Sequence, residues 1–219
     1  MLNFEDFFGA EVTPEIIRPG AVLLREFARK DAPRLTEDVR SITRIVPFRA
    51  MQTQGGAKMS LMASGCGDLT WLRDEPSSEA AVYSSAIPEG EDNWPDMPPL
   101  FLDLARRAAN AGGFPGFEPN ACLINRYRPG AKLGLHQDRD ERDDDAPIVS
   151  VSLGLPIIFL FGGLERSGPI ARIPLDHGDV VVWGGPARLA YHGVLPLKEG
   201  FHPAVGRERI NLTFRKIRT

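Results

Sequence analysis

From Ala121 onward the chain is a succession of short runs, ACLINRY (121–127), IVSVSLGL (148–155), IIFLFGG (157–163), DVVVWGG (179–185) and RINLTFR (209–215). Each is β-branched or aromatic and bounded by Gly, Pro or Asp, the pattern of strands between turns rather than of helices. Strands of this length at regular spacing close into a barrel or a double-sheet jelly roll. The 22 glycines and 19 prolines among 219 residues supply the turns such a fold requires.

The first half mixes helix and loop. AVLLREF (21–27) reads as a strand, and Asp31 can cap a helix to about Val46, with Pro33 in its first turn and Pro47 as its stop. QTQGGAKMS (52–60) suggests a hairpin around Gly55-Gly56. PPLFLDLARRAANA (98–111) predicts a helix with Leu100, Phe101, Leu104, Ala105 and Ala108 on one face, closed by Gly112-Gly113. The expected class is mainly β (α+β), with residues 1–119 as an N-terminal extension, 120–219 as the strand-rich core, and both in one compact unit.

Hydrophobic residues at 42% and charged residues at 25% exclude a disordered chain or a coiled coil. No apolar run approaches the roughly 20 residues of a membrane-spanning helix, so no membrane partner is expected. The acidic start MLNFEDFFGAEV lacks the basic region of a signal peptide, and Cys66 and Cys122 cannot make a disulfide framework. Both features suit a cytoplasmic protein. A net charge of −3 argues against a protein that coats nucleic acid by charge alone. Charge is nonetheless uneven, with eight Arg/Lys against four acids over 18–49 and six acids in DRDERDDD (138–145). Nothing in the chain demands more than a monomer.

Strand parity carries the first functional reading. In RINLTFR, Arg209, Asn211, Thr213 and Arg215 share one face and Ile210, Leu212 and Phe214 the other; in ACLINRY, Leu123, Asn125 and Tyr127 fall together. The polar face meets either water or a ligand cavity, and in a cavity two arginines would bind an anion such as a carboxylate. His136 and Asp138 in GLHQDRD stand two apart, and His192 in YHG follows 54 residues past Asp138. Two histidines and a carboxylate suit a non-haem Fe(II) site with open positions, and zinc uses the same residue types. His177 and His202 lie in turn-like contexts and read as structural.

NRYRPGAKLGLHQDRDE, PIVSVSLGLP, FGGLERS, HGDVVVWGG, YHGV and RINLTFR together resemble the AlkB family of Fe(II)/2-oxoglutarate-dependent nucleic-acid dealkylases, over residues 47–215. The resemblance implies a double-stranded β-helix with N-terminal helices and a nucleotide-recognition lid. It implies Fe(II) on His136, Asp138 and His192, with 2-oxoglutarate and O2 as cosubstrates. Arg209 and Arg215 would take the two carboxylates of 2-oxoglutarate, Arg215 at the distal end, and Asn125, Tyr127 and Asn211 would bond the same molecule. Trp71 would stack on the flipped base, Asp140 would meet its exocyclic amine, and Tyr83 and Arg166 would contact phosphate or base edge. The implied partner is single-stranded DNA or RNA carrying alkylated bases such as 1-methyladenine and 3-methylcytosine.

The sequence departs from the family at Ala57 and Ala81, where an aromatic is usual, and between Trp71 and Tyr83, where it is longer. All three changes fall in the lid. They keep open an oxygenase acting on tRNA, a protein side chain or a small molecule. A binder of alkylated strands without catalysis would be expected to lack a triad member or Arg215, and all are present.

Overall fold

The computed structural model describes residues 13–52, 58–68, 70–72, 82–84, 93–139 and 145–217. Before residue 119 these form β1 (Glu15–Arg18), β2 (Ala21–Leu24), α1 (Ala32–Ile45), β3 (Arg49–Gln52), β4 (Lys58–Gly67), β5 (Thr70–Leu72), β6 (Val82–Ser84) and α2 (Pro99–Ala111). After it come β7 (Ala121–Tyr127), β8 (Leu133–His136), β9 (Ile148–Gly154), β10 (Ile157–Phe161), β11 (Ala171–Leu175), β12 (Val180–Trp183), β13 (His192–Val194) and β14 (Arg209–Arg215).

Eight strands make the larger sheet, in the order β1-β2-β12-β9-β14-β7-β4-β3, and β11-β10-β13-β8 make the smaller one. All their pairings are antiparallel. Strands from both sides of residue 119 share the larger sheet. Its two faces have separate tasks. Ile210, Leu212 and Phe214 of β14, with Val149, Val151 and Leu153 of β9, pack in one core with Leu35 and Val39 of α1 and Phe101 and Leu104 of α2. The opposite face supplies Ile148, Val181 and Trp183 to a second core with Ile157, Phe159, Phe161 and Val194 of the smaller sheet. Helices, large sheet and small sheet are thus three layers, a double-stranded β-helix of the jelly-roll type.

Several sequence expectations shift in detail. The strand from Ala21 ends at Leu24, because Glu26 turns the chain with φ +53°. Asp31 precedes α1, yet its side chain makes no cap; it accepts instead from Arg107 Nη2 at 2.7 Å, joining α1 to α2. The helix over 98–111 begins one residue later, at Pro99, and Ala109 is as buried as the anticipated face. β3 and β4 pair as the arms of the anticipated hairpin, with Gln52 opposite Lys58, while Gly55, Gly56 and Ala57 lie outside the described residues. The arm after it runs for ten residues, because β4 has β7 to bond along its other edge. Among the described residues, no helix is long and apolar enough to cross a membrane.

Candidate active site

The cavity between the two sheets holds about 790 Å³. β7 contributes Leu123, Asn125 and Tyr127 to its wall, and β14 contributes Arg209, Asn211, Thr213 and Arg215. The polar face of RINLTFR therefore looks into a cavity, because the smaller sheet covers it. Asn211 Nδ2 donates to Ser150 Oγ at 2.8 Å and to the Val151 carbonyl at 3.1 Å, while its Oδ1 accepts from Thr213 Oγ1 at 3.0 Å. Arg209 Nη2 donates to Ser152 Oγ at 2.9 Å. Ser150 and Ser152 were not anticipated as site residues, although the alternation of IVSVSLG puts both on one face.

Arg209 is 2% exposed, its guanidinium lies 5.3 Å from the Tyr127 ring centroid, and its Nε and Nη1 have no acceptor among the described residues. Burial lowers its pKa from 12.5 to about 10, so it is still a cation at neutral pH. Burial likewise pushes Tyr127 up to about 12, which keeps the phenol protonated as a donor. A buried cation with two unused N–H groups, next to a phenol, is built for an anion from outside the chain.

His136, Asp138 and His192 present one ligand atom each, all within 4.8 Å of one another. The arrangement follows from strand pairing: His192 is the register partner of His136 across β13 and β8, and Asp138 lies two residues beyond the end of β8. Gly193 permits this, because a Cβ there would come within 2.6 Å of the Leu133 carbonyl oxygen. Each imidazole is oriented through Nδ1, His136 against the Gly134 carbonyl at 2.9 Å and His192 against the Ala190 carbonyl at 3.0 Å. Both Nε2 atoms then face Asp138, 3.6 Å from Oδ1 and Oδ2 respectively. Ring N–H bonds to carbonyls fix the tautomer a metal ligand needs. Burial, followed by the charge of His136, lowers His192 to about 4, so it is neutral and able to ligate. Burial alone would raise the Asp138 carboxyl; the surrounding cations, Arg215 foremost, outweigh it and hold the group well below the usual carboxylate range.

Two histidines and one carboxylate at this separation are the donor set of a facial triad, and the buried arginine makes an anion site in the same cavity. The sequence pattern of the 2OG-Fe(II) oxygenase superfamily matches residues 20–215. The chain is 53% identical over 210 residues to the alpha-ketoglutarate-dependent dioxygenase AlkB of Escherichia coli K12, covering 96% of each chain. The chain belongs to the AlkB family. An AlkB homolog of Caulobacter vibrioides is 42% identical over 186 residues, which is 84% of this chain and 81% of that one. The solved structure of OsALKBH1 superposes with a TM-score of 0.77 at 29% identity, covering 93% of this chain and 99% of that one.

As a member of the AlkB family, the protein is an iron(II)- and 2-oxoglutarate-dependent dioxygenase, and its residues fit both groups. The triad offers nitrogen and oxygen ligands suited to Fe(II), and the unused donors of Arg209 suit a carboxylate. The two arginines stand at different depths. Arg215 Nη2 donates to Asp138 Oδ2 at 2.7 Å, so its guanidinium stands against the triad. Arg209, six residues earlier on β14, reaches Ser152 and Tyr127 instead.

Trp71 and Tyr83 are register partners across β5 and β6, and Asp140 lies outside the described residues. Arg166 lines the cavity, with its guanidinium 6.0 Å from the centroid of the Tyr191 ring. His177 and His202 stay out of the site. They stack on each other at 4.2 Å, and each Nδ1 accepts a backbone N–H, from Gly154 at 2.9 Å and from Ala204 at 3.3 Å.

Proposed function

We infer that the protein oxidatively dealkylates N-alkylated bases in nucleic acid, releasing the alkyl carbon as an aldehyde. The observation that carries this reading is one cavity joining the triad to the unpaired donors of Arg209, in a chain 53% identical to E. coli AlkB.

Bound on His136, Asp138 and His192, iron(II) supplies hydroxylation of an N-alkyl carbon with O2, coupled to decarboxylation of 2-oxoglutarate to succinate and CO2. The chain's own groups position the reactants. Arg209, with the Tyr127 phenol, holds the distal carboxylate, since its free donors are remote from the triad. Arg215, paired with the iron ligand Asp138, holds the metal end of the cosubstrate, and Asn125 and Asn211 order it between the two arginines. The low carboxyl pKa of Asp138 keeps it an anionic ligand at neutral pH. The hydroxymethyl group formed from a methyl substituent then leaves as formaldehyde and restores the base N–H or its ring nitrogen.

The alkylated edge of 1-methyladenine or 3-methylcytosine is the pairing edge, so the base must leave its stack, and a lesion that already blocks pairing makes this easier. Single-stranded DNA is therefore the favoured substrate, with RNA admitted by the same logic. Trp71 stacks on the extruded base, Asp140 meets its exocyclic amine and cationic ring, and Tyr83 and Arg166 contact the strand. The family relationship supports these roles, and for Arg166 so does its place in the cavity wall.

The test uses purified protein with Fe(II), ascorbate and 2-oxoglutarate on matched DNA and RNA oligonucleotides carrying one 1-methyladenine or 3-methylcytosine. Loss of one methylene mass with release of formaldehyde, abolished by His136→Ala, is expected. Succinate formed at the same rate with and without oligonucleotide, and no demethylation, would remove nucleobases as the substrate.

A further inference from the structure

One buried cation has no part in the roles derived so far. Arg188 follows a single 3-10 turn between β12 and β13 and is 2% exposed. Its Nη1 donates to the Asp138 carbonyl at 2.8 Å, and its Nε donates to the Ala146 carbonyl at 2.9 Å. One guanidinium thus joins the metal-ligand residue to the residue that leads into β9. The next two residues also reach the site. The Leu189 carbonyl accepts from Gln137 Nε2, and the Ala190 carbonyl is the partner that orients His192. Residues 188–190 therefore contact, in succession, Asp138, its neighbour Gln137, and His192.

We propose that Arg188 is a positioning residue for the metal centre, a two-carbonyl clasp that sets where the Asp138 carboxylate stands relative to His192. Asp138 needs such a hold because it lies beyond the last paired residue of β8, where no ladder hydrogen bond fixes its backbone. The other two ligands have strand pairing to place them, since His136 and His192 are register partners. Only a guanidinium meets two carbonyls from one rigid plane; a lysine ammonium in the same space reaches one of them.

The proposal rests on the triad as a metal site, not on the identity of the substrate. The experiment titrates Co(II) into metal-free wild type, Arg188→Lys and Arg188→Met, reading affinity from the visible bands of the bound ion. Arg25→Lys serves as the matched control. Arg25 also bridges separate segments, donating to Glu15 Oε1 at 3.1 Å, the Pro174 carbonyl at 2.8 Å and Asp179 Oδ2 at 2.9 Å, but away from the triad. Both Arg188 variants should bind Co(II) roughly 10- to 100-fold more weakly, as for other partners that orient a metal ligand, with the control unchanged. Affinity within twofold of wild type in Arg188→Lys, or an equal loss in Arg25→Lys, would overturn the proposal. If Arg188→Met does not fold, Arg188→Lys against the control still decides it. Because no nucleic acid enters the titration, failure of the dealkylase reading would leave this result standing, and the reverse.

Discussion

Replacing Arg209 by methionine should move stability and cosubstrate affinity in opposite directions. The lowering of Arg209 from 12.5 to about 10 by burial means that the folded chain disfavours the charged form by about 3 kcal/mol. For a base with a depressed pKa that cost is fully present below about pH 10, hence throughout the neutral range. Methionine of similar length removes the charge and the two donors without acceptors. It forfeits the bond to Ser152, worth about 1 kcal/mol, and the contact with the Tyr127 ring, worth about 0.5–1 kcal/mol. The net gain is about 1–1.5 kcal/mol, a rise in melting temperature of about 2–6 °C for a chain of this size. Cosubstrate binding goes the other way. A carboxylate left in a buried pocket without its cation loses about 3–5 kcal/mol, or about 10²- to 10⁴-fold in affinity for 2-oxoglutarate. Differential scanning of the metal-free protein gives the first quantity, and calorimetric titration of 2-oxoglutarate into the Mn(II)-loaded protein gives the second. A variant less stable than wild type, or one that binds 2-oxoglutarate within threefold of it, would refute the account of Arg209 as a strained anion receptor.

Three further outcomes follow from the same structure. Gly193→Ala puts a Cβ 2.6 Å from the Leu133 carbonyl oxygen and must part β13 from β8, so Co(II) affinity should fall at least about tenfold; an unchanged titration curve would contradict the pairing of the two histidine strands. Phe214→Ala empties a fully buried site at the edge of the Phe101 ring, 5.7 Å between centroids, at a cost of about 3–5 kcal/mol; 2-oxoglutarate affinity of the folded variant should stay within a few-fold, and a large loss would show that the two faces of β14 are not independent. His177 has a pKa lowered first by burial and then by His202 and Arg29, so the unfolded chain takes up its proton first as pH falls below about 6.5. Wild type should therefore lose stability on acidification that His177→Gln does not, and the gap between their urea unfolding free energies should narrow from pH 7.5 to pH 5.5; a constant gap would show that protonation of His177 is not linked to folding.

The long strands were legible because each carries its own alternation. RINLTFR and ACLINRY divide into apolar and polar faces by parity alone, and the structure assigns those faces to the helix-packed core and to the cavity. The five runs after Ala121 all became strands, trimmed where Gly or Pro begins a turn. The strands that escaped notice, Glu15–Arg18, Thr70–Leu72, Val82–Ser84, Leu133–His136, Ala171–Leu175 and His192–Val194, have three to five residues, too few for periodicity to show. They are strands because neighbours supply their hydrogen bonds. The Asp31 cap failed for a similar reason, since a carboxylate that could bond its own helix found Arg107 of the other helix instead.

At the site, residue types and spacing singled out His136, Asp138, His192, Arg209 and Arg215 as candidates, because ligand chemistry restricts which side chains can serve, and the family resemblance supplied their roles. Parity, however, says only that side chains share a face, not what lies over it. Whether Arg209 meets water or a closed cavity depended on the smaller sheet, whose strands are distant in sequence. Depth along the strand was equally hidden. Arg209 and Arg215 are equivalent in the alternation of β14, and only the return of the chain at Asp138 puts Arg215 against the metal ligands. Arg188 gave no sequence signal, since its two acceptors are backbone carbonyls, which every residue carries. Local pattern thus determined the strands, their faces and the ligand set. Cover, depth and backbone partners come from segments brought together only on folding, and those were decided by the tertiary structure alone.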